Sequence, residues 1–229
     1  MPKPCLIRGV YRGVYAAVLA AAIATVTLGA VPIAAAPTLG ACQLQGVANL
    51  SPGLGASSQA FVYSFSGSLT SCQSSVAGAP ATGSVSAGVQ LPETVTLTNT
   101  TTGVTTTGTV QYQEPGPVGS GSCANSSTSG QALAQWADGT NTVIGYTTNG
   151  AAAAVQLQGT VQPSMTLTLV ASSVPAGYSA PATYAISTTR FPVNDPAAAT
   201  LTFSPATPQQ NCATVPVTSA NINGAVSIA

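Results

Sequence analysis

Histidine is absent from this chain of 229 residues, and charge is nearly absent too, with four basic and four acidic side chains in all. The first gap removes whole classes of chemistry. Most enzymatic nucleophiles need a base at their side, and without histidine neither a Ser-His-Asp nor a Cys-His arrangement can be assembled. Histidine-ligated metal centres fall with it, and the cysteines lack the close pairing that structural zinc sites use. A Ser-Lys dyad fails as well, because Lys3, the sole lysine, lies in a leader-like stretch that is expected to be removed. No glycine-rich loop opens a helix to cradle phosphate. The expectation is a protein without catalytic residues, metal ligands or cofactor.

The shortage of charge restricts partners in the same way. Lys3, Arg8 and Arg12 sit before an uncharged, mostly apolar run from Gly13 to Ala36 that ends in the small residues Ala34-Ala35-Ala36. A positive start, an apolar middle and a small-residue end make an export signal, so residues 1–36 read as a signal peptide and 37–229 as a single exported domain. Pro37 would follow a cut at Ala36 awkwardly and leaves the site of cleavage open. Two alternatives stand beside secretion. The apolar run is long enough to remain as a membrane anchor, and Leu39-Gly40-Ala41-Cys42 resembles a lipoprotein box that would lipidate Cys42. Once the leader is gone, Arg190 faces Glu93, Glu114, Asp138 and Asp195, one base against four acids and a net side-chain charge of −3. One arginine cannot supply the phosphate neutralisation that drives nucleic-acid binding, and an anionic membrane offers it no better grip. Thr, Ser, Gln and Asn provide a neutral polar surface instead.

Of five cysteines, Cys5 leaves with the leader and Cys42, Cys72, Cys123 and Cys212 remain. An even number in an exported chain reads as two disulfides. Three pairings are possible; the expected one joins Cys42 to Cys72 near the start and Cys123 to Cys212, tying the middle to the end.

What the chain does have is strand. Residues 131–161 carry two turn dipeptides, Asp138-Gly139 and Asn149-Gly150, which tolerate the positive φ of tight hairpins and cut the stretch into a three-stranded meander. Trp136, the only tryptophan, stands beside the first turn. Phe61, Tyr63 and Phe65 alternate strictly, the mark of a half-buried strand with an aromatic inner face. Further runs are expected over Gln43–Leu50 before a Ser51-Pro52-Gly53 turn, and over Gly83–Leu91, Thr94–Thr101, Thr105–Gln113, Ser164–Val170, Ala182–Arg190, Thr200–Ser204 and Thr214–Ile228. Glu114–Ser129, rich in Pro, Gly and Ser, reads as a loop. About ten short strands and no convincing helix predict an all-β fold, an antiparallel β-sandwich that is Ig-like or an irregular barrel.

Tyr63-Ser64-Phe65-Ser66-Gly67 with Thr70-Ser71-Cys72-Gln73-Ser74-Ser75, Gly119-Ser120-Gly121-Ser122-Cys123, and Trp136-Ala137-Asp138-Gly139-Thr140 leading to Gly150-Ala151-Ala152-Ala153-Ala154-Val155 resemble a group of small exported β-proteins of high-GC Gram-positive bacteria. The resemblance covers most of residues 42–229. It implies export, a β-rich domain and the four-cysteine layout, and it carries over no activity.

The function expected is therefore non-catalytic binding outside the cell, towards neutral glycans or cell-wall polymers, with Trp136, Tyr112, Tyr146 and Tyr178 as candidates for stacking on sugar rings. The alternatives are a self-associating coat protein and a glycoside hydrolase built on a carboxylate pair, for which Glu93 and Glu114 are the candidates, since Asp138 and Asp195 are explained by their turns.

Overall fold

A computed structural model describes residues 39–229, so the signal peptide expected over 1–36 and its anchor alternative lie outside the described residues. Fourteen strands are formed. In chain order they are β1 (Gly40–Leu54), β2 (Gln59–Gln73), β3 (Gly83–Ala87), β4 (Gln90–Asn99), β5 (Thr105–Gln113), β6 (Val118–Gly121), β7 (Asn125–Trp136), β8 (Asn141–Ala151), β9 (Ala154–Gln162), β10 (Ser164–Leu169), β11 (Tyr178–Ser179), β12 (Thr183–Ser187), β13 (Pro196–Pro205) and β14 (Val217–Ile228). Among the described residues a single 3-10 turn is formed, at Ala171–Ser173.

Nine of these strands form one sheet in the order β1-β14-β13-β9-β8-β7-β3-β2-β6, and β1 also pairs with β2. That last pairing closes the sheet into an antiparallel barrel of eight staves. One stave is shared: β3 lies between β2 and β7 at one end of the barrel, and β6 lies between the same two strands at the other. Between β3 and β6 the chain leaves the barrel to make the β4–β5 hairpin. A second excursion, from β9 to β13, contributes β10, β11 and β12. Together the excursions build a five-stranded sheet, β11-β4-β5-β10-β12. It packs on the outward side of β7 and β8, where Leu133 and Val143 meet Val110, Met165 and Leu167.

Alternation decides which way each side chain faces. On β1, Cys42, Leu44, Ala48 and Leu50 are buried while Gln43, Gln45, Val47 and Asn49 are exposed. On β13, Ala197, Ala199 and Leu201 point inward, with Ala198, Thr200 and Thr202 outward. On these strands, away from the flank that the second sheet covers, the barrel is thus apolar within and mostly uncharged polar without, the reverse of a membrane-spanning barrel, which shows an apolar band to lipid. Among the described residues no helix is long and apolar enough to cross a membrane.

The all-β expectation holds, but the Ig-like sandwich is corrected to a closed barrel with a second sheet on its flank. The reason is the first strand. Val47 of β1 pairs with Asn221 on one side and Ser66 on the other, so the two ends of the sheet meet and no open edge remains to be protected. Close approach is eased by glycine. A Cβ on Gly46 would stand 2.5 Å from the Phe65 ring and one on Gly67 2.8 Å from it, so the end of the aromatic ring occupies the space that side chains at both positions would need.

Two turns also fall elsewhere. Ser51-Pro52-Gly53 is not a turn: β1 continues through it to Leu54 with a register shift after Asn49, a bulge against β14. The second meander turn is not at Asn149-Gly150, which pair with Gln156 and Val155; the chain reverses at Ala152-Ala153. Running on adds three residue pairs to the β8–β9 ladder and keeps the same side chains facing inward. Thr105–Gln113 forms as expected, whereas the loop expected over Glu114–Ser129 contains β6 and the start of β7.

The disulfides are Cys42–Cys72 and Cys123–Cys212, the expected pairing. They mark an oxidising compartment. The lipoprotein alternative is corrected at the same point, since the Cys42 sulfur is held in a bond to Cys72 and is not free to carry a lipid thioether.

Candidate functional site

An eight-stave barrel is just wide enough either to be filled by its own side chains or to hold one small ligand. The inward residues here include many small ones: Ala48, Ala87, Ala132, Ala134, Ala199 and Ala220 all line the core or pack against it. Where Leu or Phe would meet across the axis, alanine stops short. The result is a cavity of about 190 Å³ running inside the barrel, lined from Phe191 and Ile228 at one end to Leu54 and Phe203 at the other. Phe61 and Phe65 of β2, Leu157 of β9 and Val226 of β14 supply much of its wall.

The lining is overwhelmingly apolar, with one polar feature at mid-barrel. Tyr63 comes from β2, Thr128 from β7, and Tyr146 and Thr148 from β8; each faces inward by the alternation of its strand. The Tyr63 and Tyr146 hydroxyls are 2.6 Å apart, Tyr63 Oη is 3.2 Å from Thr128 Oγ1, and Thr128 Oγ1 is 2.7 Å from Thr148 Oγ1. Burial raises the pKa of both phenols, more than the hydrogen bonds to Tyr63 offset at that ring. Both tyrosines are therefore neutral hydroxyls at any physiological pH, able to donate and accept but not to act as bases. Ser126 lies one step further along the inner face of β7, outside this chain of bonds.

Trp136 closes one end. Its indole Nε1 donates to Thr142 Oγ1 at 2.9 Å, its ring meets Phe191 edge-on at 5.8 Å between centroids, and the Arg190 guanidinium stands 5.9 Å from the ring centre. Arg190 in turn donates to Asp138 at 2.7 Å. Hydrogen bonds from the Thr140 hydroxyl and backbone, with Arg190 adding to them, hold the Asp138 carboxyl below its usual range.

A second concavity lies outside the barrel, where β3, the end of β7 and the second sheet meet. It is polar and larger, about 760 Å³, and its walls include Glu93, Tyr184, Gln135, Asn141, Ser84 and one side of Trp136. Tyr184 donates to the Glu93 carboxylate, yet partial burial is the stronger influence and raises the Glu93 pKa.

The four aromatic candidates separate. Tyr112 is fully buried, its hydroxyl donating to Pro181 O at 2.8 Å, so it offers no face to a sugar. Tyr178 is half-buried against the same inter-sheet core. Tyr146 faces the cavity, and Trp136 borders both concavities. The structure therefore brings Tyr146 and Trp136 to one site and leaves the other two in the core. Tyr63, Thr128 and Thr148 join Tyr146 and Trp136 at the lumen; alternation along each strand is legible in the sequence, but not that their strands stand side by side.

Nor do Glu93 and Glu114 converge. Glu114 is 1% exposed, accepting from Ser86 Oγ at 2.6 Å and Val89 N at 3.0 Å. Glu93 pairs with Val110 on β5, four residues short of Glu114, which is about 13 Å along a strand. Retaining and inverting glycosidases hold their carboxyls about 5–10 Å apart across an open site. Glu93 is the one acid among the residues lining the outer groove, and among the described residues no cluster of His, Cys, Asp or Glu could hold a metal.

No family model, curated protein or solved structure matches this chain.

Proposed function

We propose that this protein is an exported binding protein that takes one small, mostly apolar molecule into the lumen of its barrel. The observation that carries the reading is the lumen itself: an apolar cavity of about 190 Å³ with four hydroxyls gathered at one level. Apolar walls with few convergent polar groups are the usual composition of a ligand pocket, and about 150 Å³ already suffices for a benzene-sized guest. The guest class is thus a single-ring or short branched molecule. No catalytic step belongs to this reading, because the groups around the cavity are neutral hydroxyls without a base.

Trp136 is the only tryptophan and borders the lumen, so its fluorescence reports occupancy. Titration of the oxidised protein with small aromatic compounds is expected to shift or quench that emission saturably and to raise the melting temperature. Ala199→Phe, which projects a ring from β13 into the lumen, is expected to abolish both responses while the variant remains folded. Unchanged emission and melting temperature across such a panel would remove the reading.

A second reading places a neutral glycan on the outer groove, where Glu93, Gln135 and Asn141 offer hydrogen bonds beside Trp136. It is the form in which binding to cell-wall polymers remains proposed, together with kinship to the exported β-proteins that the sequence resembles. Glu93→Ala and Gln135→Ala, each expected to weaken retention on purified wall polysaccharide and to leave the lumen titration unchanged, test it separately.

A further inference from the structure

The hydroxyls in the lumen form an unbranched chain, Tyr146 to Tyr63 to Thr128 to Thr148, linked by three hydrogen bonds. Among the described residues these are the only hydrogen bonds the four groups make. Each hydroxyl carries one proton to donate and two lone pairs to accept with. Four protons serve three bonds, so one proton is always left over, on an end hydroxyl or on an inner one that accepts from both neighbours, and all four hydroxyl-bearing residues line the cavity. If the bonds run from Thr148 towards Tyr146, the spare donor is the Tyr146 phenol; if they run the other way, it is the Thr148 hydroxyl. Both ends border the cavity.

We infer that the lumen selects a guest bearing one hydrogen-bond acceptor oxygen, a ketone, aldehyde, ester or ether on an otherwise hydrocarbon body. This deepens the binding function proposed above and rests on it. The asymmetry between donors and acceptors gives the direction. A buried donor without a partner is costly, whereas a hydroxyl oxygen that already accepts one bond tolerates an idle lone pair far better. A pure hydrocarbon leaves the spare O–H unpaired inside an apolar wall. A carbonyl takes it up, and the hydroxyl chain is free to reverse so that either Tyr146 or Thr148 meets the guest. The site can thus read the presence of an acceptor without fixing its position to a single atom. An ammonium group brings donors but no acceptor, and among the described residues that line the lumen none is an acid, so cations are selected against.

Deleting one group does not delete the spare proton. Tyr146→Phe or Thr148→Val shortens the chain to three hydroxyls and two bonds, still with one proton over. Tyr63→Phe splits the chain and leaves two. Only removal of all four abolishes the feature, and replacing a whole satisfied network by apolar groups of the same shape is close to neutral for folding.

The test is an isosteric pair. Acetophenone and α-methylstyrene have the same size and shape and differ by a carbonyl in place of a methylidene group. By Trp136 fluorescence and calorimetry the wild-type protein is expected to bind acetophenone about tenfold or more tightly than α-methylstyrene, since one satisfied buried donor is worth roughly that factor. 1-Phenylethanol, which also brings an acceptor, is expected to group with the ketone. In the variant Tyr63→Phe/Tyr146→Phe/Thr128→Val/Thr148→Val, made in a Ser126→Ala background so that this lumen hydroxyl does not remain as a donor, the two isosteres are expected to bind alike, while Ser126→Ala alone keeps the wild-type preference. Equal binding of the two isosteres by the wild-type protein would overturn the inference and leave lumenal binding standing. Binding of neither, with Trp136 emission unmoved, removes the binding function and the inference together. Should the combined variant fail to fold, the wild-type pair decides alone.

Discussion

Glu114 shows what near-absence of charge means at a single residue. Its carboxylate is almost wholly removed from water and is met by one hydroxyl and one backbone N–H, and among the described residues no cation pairs with it. Loss of hydration outweighs both hydrogen bonds and raises its pKa above the ordinary value of 4.5. The folded protein therefore binds this proton more readily than the unfolded chain does. Stability is expected to fall as pH rises from the ordinary carboxylate range through the raised folded value, and to level off above it. Glu114→Gln keeps an acceptor for Val89 N–H and can donate to Ser86, and it carries no charge. Urea midpoints measured between pH 4 and 8 are expected to be higher for the variant at neutral pH and to have lost the downward slope. Glu114 was readable in the sequence only as an acid beside a strand end. Its burial comes from Ser86 and Val89, which lie 28 and 25 residues away, and nothing local announces them.

Between β7 and β8 the Asp138-Gly139 signal works as its chemistry requires. Gly139 has φ +80°, the Asp138 side chain accepts from the Thr140 backbone at 3.1 Å, and strand pairing resumes at Asn141. Between β8 and β9 the equivalent signal is overridden, because the partner strands are long enough to keep pairing past Asn149-Gly150. The reversal falls on two alanines, and Ala152 takes φ +50° while bearing a Cβ. Positive φ at only the first of two central residues is the pattern that favours glycine there. Ala152→Gly is expected to raise stability by about 0.5–1 kcal/mol, relieving left-handed strain that slightly exceeds glycine's added chain entropy. The check is the chemical-denaturation midpoint at unchanged slope; a lower midpoint would refute the turn geometry.

At the scale of the whole molecule the fold depends on joining distant parts of the chain. β1 pairs with β14, and Cys123–Cys212 spans 89 residues against 30 for Cys42–Cys72. A crosslink stabilises mainly by restricting the unfolded chain, more for longer loops. Removing Cys123–Cys212 with paired serines is expected to cost about 1 kcal/mol more than removing Cys42–Cys72, within a total of about 2–5 kcal/mol for each. Thermal unfolding of the two double variants under identical conditions tests the order.

The sequence by itself determined what the barrel is made of: a sparsely charged chain of alternating strands, four cysteines in two bridges, an aromatic stripe on β2 and no histidine. These properties are local or compositional, and alternation with a period of two is written residue by residue. Only the tertiary structure decided that the strands close into a ring, that alanines from five strands leave room on its axis, and that Tyr63, Thr128, Tyr146 and Thr148 meet. Parity along a strand says which side a residue faces; which strands stand beside it is set by hydrogen-bonded pairings between segments up to nearly 190 residues apart, such as Gly40 with Ile228, and those depend on how all the inward faces pack at once.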